Sequence, residues 1–180
     1  LLGQPKVVAV GEIGLDYHWE EPDRELQKHW FCRQLELAAR MDRPVIIHSR
    51  DAAQDTMDIL SGYHRGPADS RRTPGVIHCY SYSVEQALEY VRMGFYIGIG
   101  GVVTFKNARK LREVVAAVPL SSIVLETDSP YLAPVPHRGE RNCSLYLPLI
   151  AGEIAAVRGI SAGEVAHVTR QNAEKLYGLD

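Results

Sequence analysis

The chain has 180 residues, of which 46% are hydrophobic and 23% are charged. This balance is typical of a soluble globular protein with a sizeable buried core. The formal net charge of -2 and the pI near 6.4 exclude a global positive field that would attract nucleic acid. A polyanionic substrate would therefore need a local basic patch or a bound cation.

The cysteines and the hydropathy of the sequence predict the cellular compartment of the protein. The three cysteines, Cys32, Cys79 and Cys143, lie far apart and form no C-x-x-C pair, so they predict neither a disulfide framework nor a zinc ribbon. No apolar run approaches the roughly 18 residues of a membrane span, and the N-terminal segment carries no export signal. We therefore expect a cytoplasmic protein that makes no contact with a membrane.

Five short apolar segments, rich in β-branched residues, predict strands buried on both faces. They are KVVAVGEIG (6–14), RPVIIHS (43–49), PGVIHCY (74–80), FYIGIGG (95–101) and SSIVLETD (121–128). Helical periodicity predicts helices at about 23–41, 51–63, 83–93, 107–117, 145–157 and 161–177. Strands that alternate with helices in this way predict one α/β domain over 1–180 with a parallel sheet.

The predicted helices begin with capping residues. Asp23 is a suitable N-cap for the first helix, and Ser83 and Ser161 are each followed three residues later by a glutamine or glutamate, the capping-box pattern. Pro148 is tolerated only in the first turn of its helix, which sets that start near 144. In the first helix an apolar stripe predicts a buried face; its residues are Leu26, Trp30, Cys32, Leu35, Leu37 and Ala38.

Potential ligands stand at the ends of four predicted strands. Glu12 ends VVAVGE, His48 ends PVIIH, His78 ends GVIH, and Asp128 lies just beyond IVLE. Because the carboxyl ends of parallel strands lie at one face, and converge on one axis in a closed barrel, we expect these four side chains to meet. Glu126, two residues before Asp128 and on the same side of an ideal strand, is expected to support this site.

Imidazole nitrogens and carboxylate oxygens together suit a divalent metal held for hydrolysis, with coordination left open for water and substrate. Asp128 is the candidate for orienting or deprotonating that water. Each residue alone also fits a structural role: a histidine at a strand end is commonly hydrogen-bonded, and Asp128 before Ser-Pro suits a turn. The repetition over four strands favours the metal or catalytic interpretation.

Four motifs carry a resemblance to a known family. GEIGLDY (11–17), PVIIHSRDA (44–52), GVIHCYS (75–81) and LETDSPYLAPVPHRG (125–139) resemble the strand-end motifs of the TatD family of metal-dependent deoxyribonucleases, in the amidohydrolase-like superfamily. The resemblance covers essentially the whole chain in order, and it includes GFYIGIGGVVTFKNA (94–108). It implies a TIM-type (β/α) barrel that hydrolyses phosphodiester bonds in DNA, with 3′ to 5′ exonuclease activity ascribed to several members.

The resemblance also assigns roles to the four strand-end residues. Glu12 would be shared between two divalent metal ions (Mg, Mn or Zn), His48 and His78 would bind the second ion, and Asp128 would bind the first and act as base. Glu12 and Asp128 are thus the candidate catalytic residues. Arg50 and Arg138 would contact DNA phosphates, although each also fits an ordinary surface ion pair.

One departure from the family pattern affects the predicted completeness of the barrel. The family opens with an Asp-x-His-x-His motif whose histidines bind metal, and this chain contains no such motif. The resemblance therefore implies a barrel without its N-terminal part, with about five of eight strands (strands 4 to 8) present. We expect an exposed strand edge near Val7 to Val10, through which copies could self-associate, and little or no activity of this chain alone.

Two other functions are compatible with the same residues. A metal held by this ligand set could hydrolyse a small ester, lactone or amide, because the ion does similar work on a carbonyl and on a phosphoryl group. Alternatively, the chain could be an incomplete, non-enzymatic barrel that serves as an interaction module. That alternative predicts no tight metal binding at the four strand-end residues.

Overall fold

A computed structural model of the protein describes residues 1–64 and 74–179. Its five strands are β1 (Val10–Asp16), β2 (Val45–Arg50), β3 (Gly75–Ile77), β4 (Tyr96–Ile99) and β5 (Ile123–Leu125). Its six α-helices are α1 (Arg24–Arg40), α2 (Ala53–His64), α3 (Val84–Arg92), α4 (Arg109–Ala117), α5 (Leu147–Arg158) and α6 (Ala162–Tyr177). The strands form one parallel sheet in the order β1-β2-β3-β4-β5, which confirms the predicted α/β fold.

The predicted caps determine where several helices begin. The Asp23 carboxylate accepts the N–H of Leu26 at 3.0 Å before α1. The hydroxyls of Ser83 and Ser161 accept backbone N–H groups three residues on, at 3.3 and 3.1 Å, before α3 and α6. Pro148 lies in the first turn of α5, which a short 3-10 turn at Ser144–Tyr146 precedes. These contacts satisfy backbone donors that have no partner inside the helix.

All five strands differ from their predicted bounds: β3, β4 and β5 are shorter than predicted, whereas the first two strands continue past the proposed ligands. β1 begins at Val10 and continues to Asp16, so Glu12 is its third residue and does not end it. His48 is likewise followed by two more residues of β2. The strand passes through Gly14 because this glycine, with φ +145°, lets the backbones approach: a Cβ there would lie 1.9 Å from the carbonyl oxygen of His48. The prediction ended the strand at a glycine that in fact allows it to continue.

The two faces of the sheet bury different apolar sets. One face contributes Ile47, Ile77, Ile97 and Ile123 to a large core shared with the helices, including Phe31, Leu35, Tyr90, Val114 and Ile154. The other face contributes Val76, Tyr96 and Val124, which pack with Leu176 of α6 and the partly buried Ile46. Because side chains alternate along a strand, the residues two positions further along share that second face. Those residues are His48, His78, Gly98 and Glu126.

The predicted apolar stripe of α1 is wrong at its N-terminal end. Leu26 is 44% exposed and Trp30 is 56% exposed, whereas Phe31, Leu35 and Ala38 are buried. The buried residues have the i, i+4, i+7 spacing of a helix face, so the face that contacts the core lies one residue beyond Trp30. Leu26 and Trp30 are thereby left beside the mouth of the site described below.

Within the described part of the chain, no single helix is long and apolar enough to cross a membrane. Ser144–Arg158 and Ala162–Tyr177, which meet at 112°, satisfy a length and composition test only as a pair. Both helices contribute buried apolar residues to the core, among them Ile154 and Val165.

Candidate active site

A histidine of β2 lies between two carboxylates of β1. Nδ1 of His48 is 2.8 Å from Oε1 of Glu12, and its Nε2 is 3.0 Å from Oδ2 of Asp16. The contacts follow from the register of the parallel pair, in which Gly14 faces His48, so that residues on either side of Gly14 reach the ring from both ends. Asp16 is a member of the site that the sequence analysis missed.

A second histidine, directly after β3, lies between two carboxylates of the β5 segment. Nδ1 of His78 is 2.8 Å from Oε2 of Glu126, and its Nε2 is 3.2 Å from Oδ1 of Asp128. The same Nε2 lies 3.9 Å from Oε1 of Glu12. Glu12 therefore links the two histidine clusters. The structure brings together all four residues proposed from the sequence as ligands: Glu12, His48, His78 and Asp128.

The Glu126 carboxylate is held by contacts at both of its oxygens and occupies space that Gly98 leaves open. Its Oε1 accepts the N–H of Cys79 at 2.7 Å while Oε2 contacts His78, so both carboxylate oxygens are used. A Cβ at Gly98 would lie 2.3 Å from Oε2, so glycine at that position provides the space for the carboxylate. With 14% of its side chain exposed, Glu126 lies deeper than Asp128, which is 33% exposed.

Several non-glycine residues that follow the strands at this end of the sheet adopt left-handed backbone conformations, among them Asp51 with φ 54°. Asp128 has φ 56° and Cys79 has φ 46°. Asp tolerates this region better than most residues, and such strained positions concentrate at functional sites. At Asp128 the turn directs the carboxylate back towards His78.

The carboxylates and imidazoles of the site shift one another's pKa values. Burial opposes protonation of His78, but Glu126, Glu12 and Asp128 outweigh it and raise its pKa to about 9. The hydrogen bond from His48 lowers the pKa of Glu12. Burial, reinforced by the neighbouring carboxylates, raises the pKa of the Cys79 thiol to about 12, so this thiol is neutral at pH 7 and a poor nucleophile.

The donor set fits a divalent cation in its chemistry. Two donors on one zinc ion lie about 3.3 Å apart, given metal–ligand bonds of roughly 2.0–2.1 Å and tetrahedral angles. His78 Nε2 and Asp128 Oδ1 are 3.2 Å apart, close to that spacing. Among residues 1–64 and 74–179, however, no group of three or more His, Cys, Asp or Glu side chains is arranged to hold an ion as it stands. The donors instead hydrogen-bond directly to one another.

The cluster opens on one side into a cavity of about 380 Å³ lined by Glu12, Asp16 and His48 together with Trp19, Leu26 and Trp30. Of the two arginines proposed to contact phosphate, Arg50 is exposed at the end of β2. Arg138 lies in the loop after β5, with its guanidinium carbon 3.6 Å from the centre of the Phe105 ring. Neither arginine makes an ion pair within the described ranges.

A parallel α/β sheet with paired acids and imidazoles at one end is the arrangement of a metal-assisted hydrolase site. A family model described as "TatD related DNase" matches residues 1–178. The chain belongs to this family.

Relatives and solved structures agree with this assignment. The chain is 41% identical over 180 residues to the uncharacterized metal-dependent hydrolase YabD of Bacillus subtilis, covering 100% of this chain and 69% of the relative. It superposes on the crystal structure of YjjV, a TatD homolog from Escherichia coli, with a TM-score of 0.89 and 36% identity, covering 98% of this chain and 66% of that one. A TatD family hydrolase from Entamoeba histolytica, at 23% identity and a TM-score of 0.78, supports the fold alone. The chain thus spans about two thirds of the length of these relatives.

Proposed function

We propose that this chain carries the catalytic site of a TatD-type deoxyribonuclease, which hydrolyses phosphodiester bonds in DNA with the help of divalent metal ions. The observation that supports this most strongly is the convergence of Glu12, His48, His78 and Asp128 at one end of the sheet. Four ligand-type side chains from different strands are expected at a metal-assisted hydrolase site and have no common structural role. YabD and its relatives are named as metal-dependent hydrolases, which agrees with this chemistry.

The proposed roles follow from position. Glu12 lies between both histidine clusters and is the candidate bridge between two cations, while His48 and His78 would supply nitrogen ligands. When bound, a divalent cation polarises a phosphoryl oxygen and eases the deprotonation of water. Asp128, which is more exposed than Glu126, would accept the proton of the attacking water. Mg²⁺, Mn²⁺ and Zn²⁺ are the candidate ions, because each accepts carboxylate ligands at such sites.

The positive groups near the cluster favour a phosphodiester over a lactone, an ester or an amide. Arg138 lies in the same loop segment as Asp128, and a guanidinium suits bidentate phosphate contacts. A neutral lactone would gain nothing from this charge. We therefore propose DNA as the substrate, with Arg138 as a phosphate contact and Arg50 as a second one, and the cytoplasm as the compartment.

We also propose that the five strands correspond to strands 4 to 8 of an eight-stranded TIM-type barrel. The outer strands of the described sheet, β1 and β5, each have one unpaired edge. Beside β5 an apolar cavity of about 510 Å³ lies between α5 and α6, lined by Leu125, Leu147 and Ala166 among others. Edges and cavities of this kind suit further strands and helices. Without them we expect weak activity and self-association of the 180-residue chain.

The test is hydrolysis of 3′-labelled single-stranded DNA by the purified 180-residue chain, with Mg²⁺ or Mn²⁺ and with EDTA. We expect at most slow, metal-dependent release of nucleotides by this chain, and Asp128→Asn should abolish any release that occurs. A panel of lactones and amides is assayed in parallel. Hydrolysis of a lactone without hydrolysis of DNA would replace the proposed substrate, and calorimetry that detects no binding of Mn²⁺ or Zn²⁺ would favour the non-enzymatic module.

A further inference from the structure

A further cavity, distinct from the two described above, lies beside the loop that carries Asp128. Its volume is about 430 Å³, and we call it the arginine pocket; the residues that line it include Phe105, Tyr131, Leu132, Arg138, Glu140 and Arg141. This volume falls within the range of small-ligand sites. The backbone N–H of Tyr131 donates to the carbonyl of Asp128 at 2.9 Å, so the pocket begins one turn after the proposed base.

Buried hydrogen bonds hold the pocket in a fixed relation to Asp128. Asn142, only 2% exposed, donates its side-chain amide to the carbonyls of Thr127 and Tyr131, and its backbone N–H to the carbonyl of Pro130 at 3.0 Å. Both ends of the pocket segment are therefore tied to the residue preceding Asp128. Such a buried network orients a binding surface without needing the ligand to order it.

The loop that forms the arginine pocket also packs closely on the segment after β4. A Cβ at Gly101 would lie 2.2 Å from the carbonyl oxygen of Leu132, so the loop rests directly on backbone. The hydroxyl of Thr104 accepts the N–H of Val135 at 2.9 Å, which fastens the loop to the segment after β4. These contacts make the pocket a built feature of the fold.

The side chains that face the pocket combine a ring with positive charge. Tyr131 is 71% exposed. Arg138 stacks on Phe105, which covers one guanidinium face and leaves its N–H edge available, and Arg141 is exposed without an ion pair in the described ranges. The one acid, Glu140, is already engaged at 2.9 Å by His137. A chain with net charge -2 thus presents two arginines and an open aromatic ring next to its proposed base.

We propose that the arginine pocket binds the nucleotide next to the scissile phosphate of single-stranded DNA, with the base stacked on Tyr131 and a flanking phosphate held by Arg138 and Arg141. This inference rests on the proposed function for its substrate. Stacking on aromatic rings and charge contacts to phosphate are the usual means by which proteins hold single strands without reading sequence. A duplex would keep its bases paired and away from the ring.

Binding measured in EDTA tests the pocket separately from catalysis. The probe is a fluorescein-labelled oligothymidylate of about eight nucleotides, followed by anisotropy with the 180-residue chain. We expect Tyr131→Ala to weaken binding about tenfold and Tyr131→Phe to bind like the wild type, because the ring supplies the stacking. Arg141→Ala should weaken binding, whereas the matched control Lys175→Ala, which removes a cation from the last turn of α6, should change little.

Oligonucleotides with one abasic site at successive positions identify the stacked base. At one position the abasic site should weaken binding to the wild type but not to Tyr131→Ala. Inorganic phosphate and thymidine 5′-monophosphate are compared as competitors, and thymidine monophosphate should compete better. The proposal is wrong if the wild type does not bind, if Tyr131→Ala and Arg141→Ala bind like the wild type, or if phosphate competes as well as the nucleotide.

Metal-dependent hydrolysis of bis(4-nitrophenyl) phosphate, which has no base, reports the proposed function by itself. If the chain hydrolyses this diester while Tyr131→Ala leaves DNA binding unchanged, the pocket assignment fails and the function stands. If the chain binds DNA through Tyr131 but neither hydrolyses the diester nor binds Mn²⁺ or Zn²⁺ by calorimetry, the pocket stands as a single-strand binding site and the proposed function fails.

Discussion

Nδ1 of His78 lies 2.8 Å from Oε2 of Glu126, and the opposite ring nitrogen faces Asp128 and Glu12. A histidine whose Nδ1–H donates to a carboxylate has its Nε2 lone pair fixed in direction, and such partners raise the basicity of metal-ligating histidines. Glu126, which lies one layer below His78, would thus position this histidine for the proposed metal ligation. A change at Glu126 inside the sheet should therefore affect the candidate metal ligands at its end.

Replacing Glu126 should weaken metal binding without removing a proposed ligand. Loss of a carboxylate that orients a metal-ligating histidine typically costs about 10- to 100-fold in metal affinity, and we expect this range for Glu126→Ala titrated with Mn²⁺ or Zn²⁺ by calorimetry. Glu126→Gln keeps an oxygen acceptor for Nδ1–H and should retain most of the affinity. Glu36→Ala, which removes an exposed carboxylate paired with Arg33, is the control. Wild-type affinity in Glu126→Ala would show that Glu126 has no such role.

The metal-free chain should lose stability as the pH rises from about 6.5 to about 9. The pKa of His78 is raised from 6.5 to about 9 in the folded state, so its stabilising contribution is complete below pH 6.5 and disappears as pH passes through 9. The pKa of His48 is raised as well, which acts in the same direction. Urea unfolding in EDTA across this window measures the effect. Glu126→Gln should flatten the slope, and a slope as steep as in the wild type would contradict the assignment.

Two buried asparagines allow an effect on folding stability to be distinguished from an effect on metal binding at the site. Asn142 donates to the carbonyls of Thr127 and Tyr131, and Asn172 donates to those of Leu120 and Ile123. Each change to alanine leaves two carbonyls without their donor and should lower the free energy of unfolding by about 1–3 kcal/mol.

Of the two variants, only Asn142→Ala should also weaken Mn²⁺ binding, because Asn142 contacts the loop that carries Asp128 and Asn172 does not. Calorimetry is performed at a temperature at which both variants remain folded. Equal loss of affinity in Asn142→Ala and Asn172→Ala would mean that the loop contacts contribute nothing specific to the site.

The unpaired edge of β1 should make the isolated 180-residue chain self-associate. Sedimentation velocity should show a larger mean mass as concentration rises, since an uncovered parallel strand offers free backbone groups to a second copy. Val8→Lys places a charge just before the strand and should reduce the association. A monomer at all concentrations would indicate that this edge is not adhesive.

The fold was largely predictable because apolar runs and capping residues act locally. The five strands and six helices have the predicted order, and Asp23, Ser83 and Ser161 cap the expected helices. The errors arise where tertiary approach overrides local rules. Gly14 lets β1 continue beside His48, although a glycine inside a strand normally weakens it. Trp30 has helical spacing but lies one residue off the buried face of α1.

Glu12, His48, His78 and Asp128 were predictable from the sequence, but Asp16 and the contacts within the site were not. The two-residue spacing of Glu126 and Asp128, which follow β5, predicts that they lie on the same side of an extended chain, and this spacing can be seen in the sequence. That Asp16 reaches Nε2 of His48 depends on the shifted register between β1 and β2, which appears only in three dimensions. The arginine pocket likewise depends on the loop fold that Asn142 maintains.

We propose that Glu12, His48, His78 and Asp128 together hold divalent metal ions. Anomalous diffraction from crystals of the chain grown with Mn²⁺ or Zn²⁺ tests it most directly. We predict a peak between Glu12, His78 and Asp128, with ligand distances of about 2.0–2.3 Å, that is lost in Asp128→Asn. Well-ordered side chains at full metal concentration with no anomalous density among them would contradict the account.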